Sequence, residues 1–269
     1  PPPPPFFIDT ATTDNYTLSP HDALPIYLEE QHIVFPKIGQ PKKILYQLEP
    51  SLELLYDQTI TTLTKGLTYN RYRAISALKP EKKRKYLNAE RISAQLAYIM
   101  KTLLVKRLDS SFNAFKQSLI RFKDATSAML TMFDNGTIYI APNLGVSTFI
   151  LEGREDELIA LIAEKQATDP TIEVCTPADF EEAFLPGLLA DHQALSALCM
   201  QWVKVKQDPK LEEFLAYLKT ELFDRKVNHG GKLVVFSEAK ETTDYLNAQL
   251  ALNGFGKVLC IDSNNRKEK

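Results

Sequence analysis

The sequence predicts an α/β chain, mostly helical, that closes with an incomplete parallel βαβ unit. Three observations predict it. Apolar residues recur at helical spacing between Ile92 and Phe122, proline and glycine punctuate the other segments, and Lys232 to Ile261 reads as strand, helix and strand. With 269 residues of which 44% are hydrophobic, the chain can bury one large core or two modest ones.

Residues 1–26, PPPPPFFIDTATTDNYTLSPHDALPI, share no periodicity with the rest of the chain. Ile8 to Ile26 resemble, with departures at Ile8, Asp14, Asn15 and Pro20, the conceptual translation of a sequencing-library adapter. A disordered proline-rich linker is the alternative. Residues 1–26 are therefore set apart as a non-native, disordered leader.

In the next part, residues 27–66, Ile44, Tyr46 and Leu48 alternate with Leu45 and Gln47 as in a strand. Pro50 then opens a helix with Leu52, Leu55 and Tyr56 along one side, and Gly66 closes it. The helical region, residues 67–228, comes next. Ile92, Leu96, Ile99 and Leu103 form one stripe, and Phe112, Phe115, Leu119 and Phe122 another. Four residues beyond Leu103 stands Arg107, so the first stripe is expected to stop there, with Asp109, Ser110 or Ser111 capping a new helix. Thr137 to Ile140 reads as a short strand ended by Pro142, EDELIALIAEKQ as a helix matched to its own dipole, and Pro177 as the start of helical structure reaching Lys206. In DPKLEEFLAYLKTEL, Asp208 caps a helix, Pro209 fills its first turn, and Leu211, Phe214, Leu215 and Leu218 face inward. In the last part, residues 229–269, Lys232 to Phe236 and Lys257 to Ile261 are the strands of a right-handed crossover, and Ser237 caps the helix between them.

The formal charge of -2 conceals a segregation, because Lys65 to Lys123 carries fifteen Lys and Arg against Glu81, Glu90 and Asp109. From Asp124 to Asp224 the balance reverses, with eighteen acids against six bases. Such a distribution suits one face to a polyanion. Lys101, Lys106, Arg107, Lys116, Arg121 and Lys123 fall mostly off the apolar stripes, where phosphates could reach them. Cys175, Cys199 and Cys260 are odd in number and lack CxxC spacing, which fits reduced thiols of a cytoplasmic protein. His21, His32, His192 and His229 are scattered, so no metal site is expected, and no run is long enough to cross a bilayer.

At the edge of the C-terminal unit, Ser237, Lys240, Thr242 and Thr243 sit where a helix N-terminus, hydroxyls and an ammonium could hold a phosphate. Serine as a helix cap and lysine in a first turn also occur without any ligand.

DPKLEEFLAYLKTEL, GKLVVFSEAKETTDYL and GFGKVLCIDSNNRKE, in that order, resemble the start of the second RecA-like lobe of Swi/Snf-type superfamily 2 helicases and translocases. The pieces that carry this are Lys210-Leu211, Phe236-Ser237, Thr242-Thr243, Val258 to Ile261, and Asp262 to Arg266. FPKIGQPKKILYQLEPSLELLYDQ resembles the end of the first lobe, and LLVKRLDSSFNAFKQSL a helical signature of the bacterial branch. The resemblance implies a fragment of a larger DNA-dependent ATP hydrolase that uses ATP and Mg²⁺, with the C-terminal unit an incomplete RecA-like sheet. It also admits a linked nuclease-type domain. This chain holds no GxxxxGK[ST] loop, and the acidic Mg²⁺ site and arginine finger of a complete member are missing too. It is therefore expected to bind no ATP or Mg²⁺ by itself and to carry no catalytic residue. DNA is the expected partner, without sequence preference and without a membrane, through Lys106, Arg107, Ser110, Ser111, Ser237, Lys240 and Thr242. The alternative is a non-enzymatic helical adaptor that binds nucleic acid or an acidic protein through the same basic span.

Overall fold

A computed structural model describes residues 40–86, 89–140, 173–237 and 239–261, and these are mostly helical. The chain divides after Lys43. Of the first part only residues 40–43 are described, exposed and without regular structure; all the helices and strands named here belong to the second. The leader, the EDELIALIAEKQ helix, and Asp262 to Arg266 lie outside the described residues.

Helix α1, Pro50–Thr61, begins with the expected proline, whose missing N–H would have no helical partner there anyway. It widens into a π turn, Thr62–Gly66. Three threonines prepare that turn: the hydroxyls of Thr59, Thr62 and Thr64 donate to the carbonyls of Leu55, Gln58 and Ile60 at 2.7, 2.9 and 2.7 Å. Beyond it Tyr69 adopts a positive φ of 57° and leads into a 3-10 turn, Asn70–Arg73. Asp191, buried more than a hundred positions later, holds this strained corner. Its carboxylate accepts from the Thr68 amide at 2.7 Å, the Thr68 hydroxyl at 2.9 Å and the Asn70 amide at 3.0 Å.

A single turn, α2 (Pro80–Lys83), precedes the two long helices, α3 (Ala89–Ser110) and α4 (Phe112–Asp134). Phe112, Phe115, Leu119 and Phe122 are all buried, as their spacing predicts. On α3 the seam is shifted: Ala97, Met100, Leu104 and Leu108 are buried, while Leu96, Ile99 and Leu103 flank them. Helix α5, Phe184–Trp202, lies against α4 and delivers Trp202 to the centre. The Trp202 ring meets Phe112 and Phe115 edge to face at centroid distances of 5.0 and 5.2 Å, and its indole N–H donates to the Thr59 hydroxyl at 2.9 Å.

A second apolar cluster gathers Leu78, Met129, Phe133, Phe180 and Phe184 beside the described sheet. That sheet is antiparallel, β1 (Ile138–Ile140) against β2 (Glu173–Cys175), with Ile138 opposite Cys175. Helix α6, Pro209–Tyr217, runs on into a π turn, Leu218–Leu222, and α7 is Lys240–Leu252.

Two expected strand regions differ. Residues 44–48 are not a strand, and 232–236 and 257–261 form no parallel ladder among the described residues. Val234, Leu259 and Ile261 are exposed and Phe236 is 92% so. An apolar β-branched run becomes a strand when further strands and a covering layer bury both its faces; α7 alone offers too little area to offset the ordering of two isolated strands.

Candidate nucleic-acid interface

The junction of α3 and α4 shows why a single residue breaks the long helical span. Ser111 is extended, with φ -159° and ψ 128°, and its hydroxyl accepts from the Ala114 amide at 3.3 Å. It is the cap among the expected three. A cap in this conformation turns the chain so that the end of α3 and the first turn of α4 meet the segments after α5. Lys210, next to the first residue of α6, donates to the Asp109 carbonyl at 2.8 Å and lies 5.9 Å from the Tyr46 ring centroid. One of the open carbonyls at the end of α3 is thereby satisfied.

Around this junction is a cavity of about 340 Å³. Its wall includes Ser110, Ser111, Ser237 and Thr242, four of the residues singled out from sequence, together with Tyr46, Lys210, Phe214 and Tyr245. Thr242 is 6% exposed, and its hydroxyl is buried without a hydrogen-bond partner. An orphan hydroxyl on a cavity wall costs free energy until something supplies the missing bond. Asp208 also borders the cavity, but its carboxylate is committed: it caps α6 by accepting from the Leu211 amide at 3.1 Å. Burial first, and then the Asp208 charge and a hydrogen bond to it, raise the pKa of Tyr245 well above the ordinary phenol value. The phenol therefore stays protonated throughout the physiological range, with its one proton donated to the Asp208 carboxylate.

Of the other expected residues, Lys106 and Lys240 are exposed. Ser237 is half-buried, and its hydroxyl donates to the Ala239 carbonyl at 3.3 Å. It does not cap α7, whose N-terminal boundary residue is Ala239. Arg107 is placed differently from the solvent-facing position expected. It is 6% exposed, hydrogen-bonded to the Ser118 hydroxyl, and its guanidinium lies 3.7 Å from the Glu241 carboxylate. Helix α3 runs through this position to Ser110 because a hydroxyl and a carboxylate satisfy the buried charge. Glu241 also binds Arg121. Burial alone would raise the Glu241 pKa, but Arg107 beside it, its own backbone amide and Arg121 outweigh that and hold it below the usual carboxylate range.

Sequence reasoning missed Lys210, Tyr245 and Glu241 as site residues. Lys210 is itself one of the residues that carry the family resemblance and Glu241 stands between Lys240 and Thr242, but nothing local shows that α6 and α7 meet the end of α3. Lys116, expected to face phosphate, donates instead to the Val205 carbonyl at 2.6 Å. Among the described residues no group of acids, histidines and cysteines could hold a metal ion, and no helix is long and apolar enough to cross a membrane. The chain matches no family model, no curated protein and no solved structure.

Proposed function

We propose that this chain is the DNA-contacting helical region, with its flanking edges, of an ATP-dependent Swi/Snf-type translocase. In this reading ATP and Mg²⁺ are handled by residues other than these, and the C-terminal segment contributes to a RecA-like lobe. One observation carries the proposal: Ser110 and Ser111 at the α3–α4 junction share a cavity with Ser237 and Thr242 of the C-terminal segment. Both stretches come from motifs that the resemblance assigns to DNA-contacting or lobe-edge positions. The hydroxyls of Ser110, Ser111 and Thr242 and the Lys210 ammonium are donors suited to phosphate oxygens, and Lys106 and Lys240 add exposed charge on α3 and α7. Residues 232–236 and 257–261, which form no ladder, add no support of their own.

The test is equilibrium binding of the 269-residue chain to labelled duplexes of unrelated sequence. Affinity should be equal across sequences and fall steeply with salt. The pair Lys106→Glu and Lys240→Glu should weaken it about tenfold at low salt, since each lost phosphate contact removes one counterion-release term. Unchanged binding by that double variant would remove these lysines from the interface. Robust DNA-stimulated ATP hydrolysis by the same chain would overturn the assignment of catalysis to other residues.

The adaptor reading has one observation in its favour, the helical bundle without a covered C-terminal sheet among the described residues. It predicts tight binding to an acidic protein segment and weak binding to DNA at the same salt.

A further inference from the structure

The cavity at the α3–α4 junction is bordered by four aromatic rings, each from a separate stretch of chain. Tyr46 precedes α1, Phe214 lies on α6, Phe236 belongs to the segment before α7, and Tyr245 lies on α7. Its wall is chiefly apolar, and at about 340 Å³ it falls within the range of small-molecule pockets. Phe236, almost fully exposed, offers ring area that the described residues leave uncovered.

The charges around the cavity do not favour an anion inside it. Asp208 and Glu213 border it as carboxylates, and Lys210 is the one base among the described residues of its wall. Asp208 accepts from the Leu211 amide and the Tyr245 phenol, while Lys210 donates to the Asp109 carbonyl. A phosphate drawn inside would give up water to meet more negative charge than positive. Lys210 is itself exposed, as are Lys106 and Lys240, so a phosphate that these hold stays in solvent. The interior suits an uncharged ring.

One polar group of the wall has no partner. The Thr242 hydroxyl, in the first turn of α7, is buried and unpaired, and a hydrocarbon ring would leave it so. A helical threonine has two accessible χ1 wells, and a turn between them brings the hydroxyl to an occupant. The best-matched occupant thus joins a neutral planar ring and a hydrogen-bonding edge to a phosphate linkage that remains outside. A nucleobase on its strand has all three, and aromatic side chains stack on any base.

We propose that this cavity receives one unpaired nucleobase, laid against Tyr46, Phe214 and Tyr245 with its polar edge towards Thr242. The base is supplied by a free nucleoside or by a single DNA strand. The DNA source rests on the proposed translocase function and deepens it, since a base enters only where the strand is unpaired; the ring site does not rest on it.

The 269-residue chain is tested with two kinds of probe. Labelled adenosine, which carries no phosphate, is followed by equilibrium dialysis. A single strand and an abasic strand of equal length are compared by anisotropy at one salt concentration. Adenosine should be retained, and the base-bearing strand should bind about tenfold more tightly than the abasic one, although their charge is the same. Phe214→Leu keeps an apolar side chain and removes the ring, so it should erase most of that difference and leave the abasic strand's affinity unchanged. Retention of adenosine without a strand preference keeps the ring site and removes DNA as its source. Equal binding of the two strands with no retention of adenosine overturns the proposal and leaves the phosphate contacts of Lys106 and Lys240 intact. If F214L does not fold, Thr242→Val decides: losing an unpaired hydroxyl should not lower the melting temperature, yet adenosine binding should weaken about fivefold. Unchanged adenosine binding by T242V overturns the proposal.

Discussion

Leu104, Leu108, Phe115 and Leu119 are fully buried where α3 and α4 meet, and Trp202 of α5 is packed among their neighbours. Helix α7, by contrast, buries only Thr242 and leaves Leu252 77% exposed. The first region is held by apolar area, the second chiefly by the contacts of Glu241, the cavity wall and Tyr245. Salt hardly touches apolar burial but screens charges at a partly open site. The two regions should therefore respond differently to the same perturbation, although they are parts of one chain.

The largest break comes from Phe115→Ala, which should cost about 3–5 kcal/mol in thermal unfolding, because the cavity left beside Trp202 cannot collapse fully. If α7 lost protection while the bundle kept its melting temperature, the comparison would be wrong. Next, Asp191→Ala should cost about 2–3 kcal/mol, since the amides of Thr68 and Asn70 lose their acceptor inside the structure; denaturant titration measures it. Acid then separates the regions. The Glu241 pKa is lowered in the folded chain, so its contribution is fully present above the ordinary value of 4.5 and is lost as the pH falls below it. Exchange of α7 amides should accelerate across that range before the bundle opens, and a simultaneous opening would count against charge as the fastener. Ser111→Ala removes the cap of α4 and should cost about 1 kcal/mol. Smallest is Lys106→Glu, a surface change expected to move stability by no more than about 0.5 kcal/mol, so that any effect on DNA binding reads recognition alone.

Local chemistry made much of the bundle legible. Pro50, Ser111 and the Asp208-Pro209 pair bound helices where their backbone preferences require, whereas Gly66 is the last residue of its π turn without the left-handed backbone that favours glycine. The α4 stripe is buried as its period demands. Arg107 was not legible, because its fate depends on a carboxylate in α7; its neighbour in the cluster, Arg121, pairs with that same group 120 residues further along. A cation off an apolar stripe reads as solvated until a distant anion is seen to reach it. The strands of the C-terminal segment failed for a related reason. Val234 and Phe236 have the composition of a covered strand, but pairing is a property of neighbours, and a short apolar run does not specify them. Of the candidate site, Ser111 was legible as a cap, and Ser110, Ser237 and Thr242 through the family resemblance and their place at a helix edge, whereas the roles of Lys210 and Tyr245 became visible only once α6 and α7 were placed beside the end of α3.

The Asp191 clamp bears on the order of folding. Its bonds to Thr68 and Asn70 span 123 and 121 positions, and the Trp202–Thr59 bond spans 143. A nascent chain that has emerged through α4 thus holds two long helices but neither the acceptor for its first corner nor the indole for its centre. Contacts so remote slow the search for the native state, because the loop between them must close before they repay it. The bundle's final locking should accordingly wait for α5, and a ribosome-bound chain ending before position 191 should remain protease-sensitive between Leu67 and Arg73.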